Sequence, residues 1–224
     1  MLFLNISLVI GLAIALVSGA PVGTITKWPT VNQPARFNRE DCQKSTRNPL
    51  EGCPKGTLLV GTGQHFLTIQ SAVQSISNNT EPAYILVLPG NYTEQVNVTR
   101  SAPLHLLGQT NNPKSPYNNT VNVIWHAIPV NGSDNAFTST LTVAPNLDSA
   151  LTGSGPSGHA VPQGNPFGNV DFRTYNLNFI NDWLPYTSGQ SLAVSTGYAN
   201  TGFYYSGFYS YQDTVRSVSL FGKH

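Results

Sequence analysis

The sequence is short of charged residues. Only 9% of its 224 residues are Asp, Glu, Lys or Arg, and the formal net charge is +1, whereas an average soluble domain has roughly 25% charged residues. So small a charge offers no basic surface for a polyphosphate, and we expect no nucleic-acid partner. Helix bundles and coiled coils are excluded as well, because they need far more Glu, Lys and Leu in periodic register.

Cysteine is also scarce, since Cys42 and Cys53 are the only two. In an oxidising compartment the simplest interpretation is one local disulfide, and the alternative is two free thiols on a mobile arm. The histidines lack the spacing of metal ligands, and the acidic residues form no cluster. We therefore predict neither a metal nor a cofactor.

Long apolar runs are missing except at the N-terminus, where residues 2–17 are followed by Ser18-Gly19-Ala20. We predict a signal peptide over residues 1–20 rather than a membrane anchor, because the run is short for a bilayer. The mature protein is then expected to be secreted, free of the membrane and monomeric. A dense set of Asn-x-Ser/Thr sequons agrees with export. They begin at Asn78, Asn91, Asn97, Asn118 and Asn131.

Three regions follow one another along the chain. Residues 21–54 are rich in Pro, Asn and charge without periodicity, and we expect an irregular N-terminal arm there. The folded domain is expected over residues 55–224. One short helix is predicted after Thr68, where Phe66, Ile69, Val73 and Ile76 fall at helical spacing. Beyond Pro82 the apolar runs are short and separated by Gly, Asn and Pro. We predict strands there over residues 84–88, 95–98, 104–107, 121–125, 138–143, 170–180, 191–196 and 203–211.

A single helix followed by many short strands excludes a doubly wound α/β fold, which would alternate the two elements. Sandwiches, barrels and β-solenoids remain. Asn-rich turns between stretches of three to six residues, as around residues 176–178 and 181–182, resemble the rungs of a solenoid. This pattern favours an all-β parallel β-helix, although periodicity alone leaves a sandwich open.

Few carboxylates are candidates for chemistry. Of the ten acidic residues, those in the arm or in turns are expected to be solvated, which leaves Glu94, Asp171, Asp182 and Asp213. Asp213 is distinctive because it follows the aromatic segment 203–211 and Gln212 stands beside it. Aromatic walls can stack on sugar rings. The alternative is an Asp that ends a strand beside ordinary core aromatics.

Four segments carry a family resemblance, and they appear in the family's order. They are Phe66 to Val73, Gly90-Asn91-Tyr92-Thr93-Glu94, Gln190-Ser191-Leu192-Ala193-Val194, and Gly202-Phe203-Tyr204 through Tyr211-Gln212-Asp213-Thr214-Val215. Together they resemble the pectin methylesterases (pectinesterases), particularly the fungal type, over residues 56–216. The last segment departs from the family pattern by Ser210 in place of a Gly.

The resemblance implies a right-handed parallel β-helix and hydrolysis of galacturonate methyl esters in the homogalacturonan of plant cell-wall pectin. Asp213 would be the general acid that protonates the leaving methoxide, which departs as methanol, and then the base that activates water. Gln190 and Gln212 would donate hydrogen bonds to the oxyanion. Phe203 and Tyr204 would bind substrate in the sugar cleft, with core packing as the alternative for each.

Two further roles of the family find no match in this sequence. Its nucleophile is a second Asp in an Asp-Phe-Ile-Phe-Gly motif, and an Arg beside a Trp orients the cleft, both beyond the Gln-Asp motif. Here the sequence ends at His224, so we expect a chain shortened at its C-terminus and impaired in catalysis. The alternative is a non-catalytic or vestigial extracellular β-helix protein that binds polysaccharide.

Overall fold

The computed structural model describes residues 37–130, 133–150, 164–184 and 189–218, and it describes residues 216–218 by backbone alone. Within these residues it has thirteen strands, two α-helices and two 3-10 helices. The helices are α1 Arg39–Gln43, α2 Ile69–Ser75, and the 3-10 turns Asn135–Thr138 and Asp148–Ala150. The strands are β1 Leu58–Val60, β2 Ala83–Val87, β3 Gly90–Thr93, β4 Val96–Val98, β5 Leu104–Gly108, β6 Val121–Trp125, β7 Leu141–Val143, β8 Phe172–Tyr175, β9 Leu177–Asn181, β10 Val194–Gly197, β11 Thr201–Tyr204, β12 Gly207–Tyr209 and β13 Val215–Val218.

The strands form three parallel sheets. Sheet A has the order β1-β2-β5-β8-β11, sheet B has β12-β9-β6-β3, and sheet C has β13-β10-β7-β4. The chain therefore passes through A, B and C in turn and repeats the circuit four times, from β2-β3-β4 (rung 1) to β11-β12-β13 (rung 4). Each strand pairs in parallel with its counterpart one rung away. The predicted parallel β-helix is confirmed.

The core is a column of aliphatic and aromatic side chains inside the circuit. Alternate residues of each strand point inward, and the register stacks like on like. Phe179 pairs with Phe208 in sheet B, and their rings stack with centroids 6.2 Å apart. Fully buried members of this column include Val60, Ile85, Leu106, Val123, Leu141 and Phe172.

Helix α2 closes one end of this column and is the helix that the apolar spacing predicted. Thr68 is its N-cap and accepts a hydrogen bond from the Ser71 amide. The carboxylate of Glu94, from the Gly-x-Tyr-x-Glu segment, accepts hydrogen bonds from the amides of Ile69 and Gln70, each at 2.8 Å. Burial raises the pKa of Glu94, and these two amides partly oppose that shift. Glu94 therefore anchors the helix N-terminus and is a structural residue.

The predicted irregular N-terminal arm contains helix α1, so the prediction is wrong for residues 39–43, whereas residues 44–54 form turns and bends. Asn38 caps helix α1, Cys42 and Gln43 are fully buried, and Cys42 is bonded to Cys53. Cys42 packs with Leu86 and Leu107 on the outer face of sheet A. A helix of five residues with no repeating apolar pattern leaves no periodic signal, so the sequence could not show that this segment docks.

A buried asparagine forms the corner between sheets A and B. Asn176 is the one residue between β8 and β9, is fully buried and has φ 58°. Its side chain donates to the Ser115 carbonyl and to Asn119 Oδ1, and accepts from Gln43 Nε2 at 3.0 Å. Asn176 thus ties the sheet corner to α1, and Asn tolerates the left-handed backbone that the corner needs.

Other expectations have mixed outcomes. Strand β6 matches its predicted bounds, whereas the predicted continuous strand 170–180 is split at Asn176, and β3 went unpredicted because Gly and Asn are poor strand formers.

Four sequon asparagines lie at exposed or half-buried positions, namely Asn78, Asn91, Asn97 and Asn118. Asn131 and the predicted signal peptide lie outside the described residues. No helix in the described part of the chain is long and apolar enough to cross a membrane.

Replacing Asn176 by Ala should destabilise the fold by about 2 to 4 kcal/mol. The change leaves buried partners unsatisfied, at about 1 to 3 kcal/mol, and forces Ala into the left-handed region at a further cost of about 1 kcal/mol. Denaturant unfolding measures the loss. The exposed Asn112→Ala is the control and should leave stability unchanged; a similar loss in both variants would contradict the role of Asn176.

Replacing either cysteine removes the disulfide, but the two replacements should differ in their effect on stability. Opening a loop with sequence separation 11 should cost about 3 kcal/mol. Cys42→Ser should cost more than Cys53→Ser, because Cys42 is fully buried against the sheet whereas Cys53 is partly exposed. Thermal unfolding of the two variants decides this, and equal losses would indicate that docking by Cys42 adds nothing.

Candidate active site

The predicted catalytic residues lie at the corner between sheets B and C. Gln190 precedes β10 in rung 3, and Gln212 and Asp213 precede β13 in rung 4. Because β10 and β13 pair in parallel from Val194 and Val215 onward, the segments that enter these strands are neighbours. The corner thus places Gln190 on a segment beside the one that carries Gln212 and Asp213, more than twenty residues later in sequence.

Backbone hydrogen bonds join the two segments directly. Ser191 and Gln212 form an antiparallel bridge, with the Ser191 amide donating to the Gln212 carbonyl at 3.3 Å. The Ala193 amide donates to the Thr214 carbonyl at 3.0 Å. These contacts hold the segments that carry Gln190 and Gln212 side by side, as two amide donors to one ligand would require.

Asp213 has an unusual backbone conformation. Its φ is 54°, in the left-handed region that non-glycine residues adopt rarely. Its side chain is exposed, so the carboxylate is presented at the surface of the corner. Strained backbone of this kind is concentrated at functional sites, where the surrounding structure holds it in place.

Asn181 holds the corner from beneath. It is buried, and its Nδ2 donates to the carbonyls of Thr138, Ala127 and Leu192. The Thr138 hydroxyl in turn accepts the Leu192 amide at 3.0 Å. One amide side chain thereby binds the connection from β6 to β7 to the segment that follows Gln190, which stiffens the support of the candidate site.

The structure does not bring Phe203 and Tyr204 to this corner. Phe203 faces inward in β11 and packs on Phe172 and Phe208. Tyr204 lies on the outer face of sheet A, stacked on Tyr175 with centroids 4.7 Å apart. The sequence could not separate these positions from the Asp213 corner, because the turn between β11 and β12 moves the chain to another sheet.

A cluster of three side chains that no sequence pattern indicated, His126, Asp182 and Trp183, lies at the same corner. His126 directly follows β6 and Asp182 directly follows β9; His126 Nδ1 lies 2.9 Å from Asp182 Oδ1. Trp183 packs against the imidazole with ring centroids 4.5 Å apart. Asp182 is one of the four candidate carboxylates in the sequence. Its pairing with a histidine 56 residues away leaves no pattern in the sequence, because it depends on the register of the strands.

Another pocket is less suited to chemistry. A cavity of about 720 Å³ lies beside α2 and β4, lined by Gln70, Asn97, Arg100 and Phe167 among others. Arg100 already donates to the carbonyls of Ser77 and Glu81 and to Asn79 Oδ1. In the described residues no group of three His, Cys, Asp or Glu side chains is placed to hold a metal ion. The sheet B–C corner is therefore the candidate active site.

Comparison with known proteins gives a consistent set of relatives. Pectinesterase A of Emericella nidulans is 28% identical over 179 residues, 79% of this chain and 46% of the relative. Probable pectinesterase A of Aspergillus niger is 31% identical over 170 residues, 75% of this chain and 44% of the relative. The crystal structure of the pectin methylesterase from Aspergillus niger superposes with TM-score 0.58 at 25% identity, covering 73% of this chain and 46% of that one.

No protein-family model matches the chain. The chain spans less than half of the length of the relatives it matches. The shared part nevertheless includes the β-helix architecture described above.

The left-handed backbone at Asp213 predicts an inverted order of substitutions. The Asp213→Gly protein should be more stable than the Asp213→Ala protein by about 1 kcal/mol, because Gly adopts positive φ without steric cost. At an ordinary position such as the exposed Asn112, Ala should be the more stable of the two. Chemical denaturation of the four variants tests this, and an Asp213→Ala protein more stable than Asp213→Gly would contradict the conformation.

Proposed function

The chain belongs to the pectinesterase family, and from that premise we propose that it serves the hydrolysis of galacturonate methyl esters in pectin, with Asp213, Gln190 and Gln212 at the reacting centre. The observation that carries the proposal is the sheet B–C corner, where adjacent rungs hold two amides and a carboxylate on hydrogen-bonded segments. Secretion and glycosylation belong to the same proposal, since pectin lies outside the cell that would degrade it.

The two amides supply the electrostatic part of catalysis. Attack on the ester carbon turns its carbonyl oxygen into an oxyanion, and Gln190 and Gln212 would each donate an N–H to it. A well-placed donor of this type contributes about 3 kcal/mol to the transition state. The segments that carry the two glutamines are already joined by backbone hydrogen bonds. Little movement of the backbone is therefore needed when the negative charge develops.

Asp213 handles protons. In its protonated form it donates to the departing methoxide, which leaves as methanol, and the resulting carboxylate then accepts a proton from the water that releases the product acid. The same group cannot also attack the ester carbon in that step, because attack requires it ionised and donation requires it protonated. A second carboxylate is therefore needed to form the acyl intermediate.

Residues 214–224 contain no Asp, so this sequence has no counterpart of the family's nucleophile motif. We infer that the sheet B–C corner carries the oxyanion donors and the proton donor, and that full turnover needs a second carboxylate. A protein that only binds polysaccharide is the competing function, and the exposed rings of Tyr209 and Tyr211 just before Asp213 favour it.

Methanol release from highly methylated pectin tests the proposal. The 224-residue chain should show little or no turnover. A chimera continued with the segment that follows the aligned region in the Aspergillus niger relative should be active. Asp213→Asn should lower the activity of the chimera at least 100-fold, as expected for loss of a general acid, with an unchanged thermal midpoint.

Two results would count against these assignments. Robust turnover by the 224-residue chain would show that another nucleophile or an activated water operates, and full activity of the Asp213→Asn chimera would remove Asp213 from the reaction. A chimera that folds and binds pectin without turnover would instead support the polysaccharide-binding function.

A further inference from the structure

The His126–Asp182 pair lies at the same sheet B–C corner as the candidate active site. Trp125 and Asn181 are register partners in sheet B, and His126 and Asp182 are the next residue of each strand. Their side chains are joined at 2.9 Å although each is more than half exposed, at 58% and 54%. An exposed pair gains little stability from its charges, so stability does not account for it.

The imidazole is held on two further sides. The ring of Trp183 packs on it, and Asn181 Oδ1 accepts the amides of Ala127 and Trp183, both at 3.3 Å. The backbones that carry both rings are thus tied to one buried amide. Among the described residues none is hydrogen-bonded to the other ring nitrogen, Nε2, of His126.

Asp182 lies one rung before the segment that leads into Asp213. Tyr209 is the register partner of Ile180, so continuing the register places Tyr211 at the position of Asp182 one rung further on, about 4.8 Å away along the axis. Gln212 and Asp213 follow Tyr211 directly. A polymer lying along the helix axis at this corner would meet Asp213 and the His126–Asp182 pair in successive units.

The atoms offered by the pair are acceptors. When Asp182 accepts the Nδ1 proton of neutral His126, Nε2 carries a lone pair, and the second oxygen of Asp182 carries more. Sugar hydroxyls can donate to these atoms, whereas a free carboxylate has no proton to offer and is repelled by Asp182. A methyl ester is neutral and meets no such repulsion.

We propose that His126, Asp182 and Trp183 form a sugar subsite beside the candidate active site that accepts methyl-esterified galacturonate and disfavours free galacturonate. This inference rests on the proposed function and deepens it. Asp182 is the selecting residue because it carries the charge, and Trp183 fixes the imidazole that orients the sugar hydroxyls. The subsite would direct the chain to methylated stretches of the polymer.

Equilibrium binding of the 224-residue chain to homogalacturonan oligomers, fully methylated or fully demethylated, tests the subsite by calorimetry at pH 7.5. Asp182→Asn should strengthen binding of the demethylated oligomer about fivefold, the effect of removing one like charge at roughly 4 Å in water. Binding of the methylated oligomer should change less than twofold. His126→Ala should weaken binding of the methylated oligomer about fivefold through the lost acceptor.

Asp171→Asn is the matched control. Asp171 pairs with His105 at 3.4 Å, but on sheet A, so the ratio of the two affinities should stay unchanged in this variant. Added salt should reduce the effect of Asp182→Asn, because screening weakens repulsion between exposed charges.

The outcomes separate the two proposals. Wild-type protein that binds neither oligomer overturns the proposed function together with the subsite. Wild-type protein that binds, with the same affinity ratio in Asp182→Asn as in wild type, overturns the subsite alone. Near-ultraviolet circular dichroism of each variant verifies that its aromatic packing is retained.

Discussion

In-register pairing of parallel strands is the constraint on which the rest of this structure depends. Each strand exchanges backbone hydrogen bonds with the strand one rung away. The register partner of a residue therefore sets its position along the helix axis and whether its side chain points inward or outward. Inside the circuit this stacks Phe179 on Phe208. At the corners it places residues from distant parts of the sequence next to one another, and both the catalytic candidates and the His126–Asp182 pair are products of that stacking.

Buried asparagines make the corners possible. A chain that turns between sheets leaves amides and carbonyls without partners, and burying them unpaired would be costly. Asn176 supplies the missing partners at the A–B corner, and Asn181 does so at the B–C corner. A short amide side chain can reach the neighbouring rung while its own backbone turns.

Local signals in the sequence were sufficient for part of the fold. The N-cap Thr68 and the apolar spacing after it located α2, and the alternation in residues 121–125 located β6, because both patterns depend on neighbours in sequence. Docking of α1 on Leu86 and Leu107 has no such signal. Likewise the motif residues Gln190, Gln212 and Asp213 were found by resemblance, whereas the facing of Phe203 and Tyr204 depends on register, which motifs do not encode.

The docked N-terminal segment covers part of the surface of sheet A. The outer face of sheet A is covered by α1 around Leu86 and Leu107, and Arg39 lies over the ring of Tyr175 at 4.6 Å, next to Tyr204. A polymer cannot lie along a face that the chain itself covers. At the B–C corner the side chains of His126, Asp182 and Asp213 are exposed. The proposed site therefore lies on a part of the surface that α1 leaves uncovered, and the left-handed residue Asp213 belongs to that exposed corner.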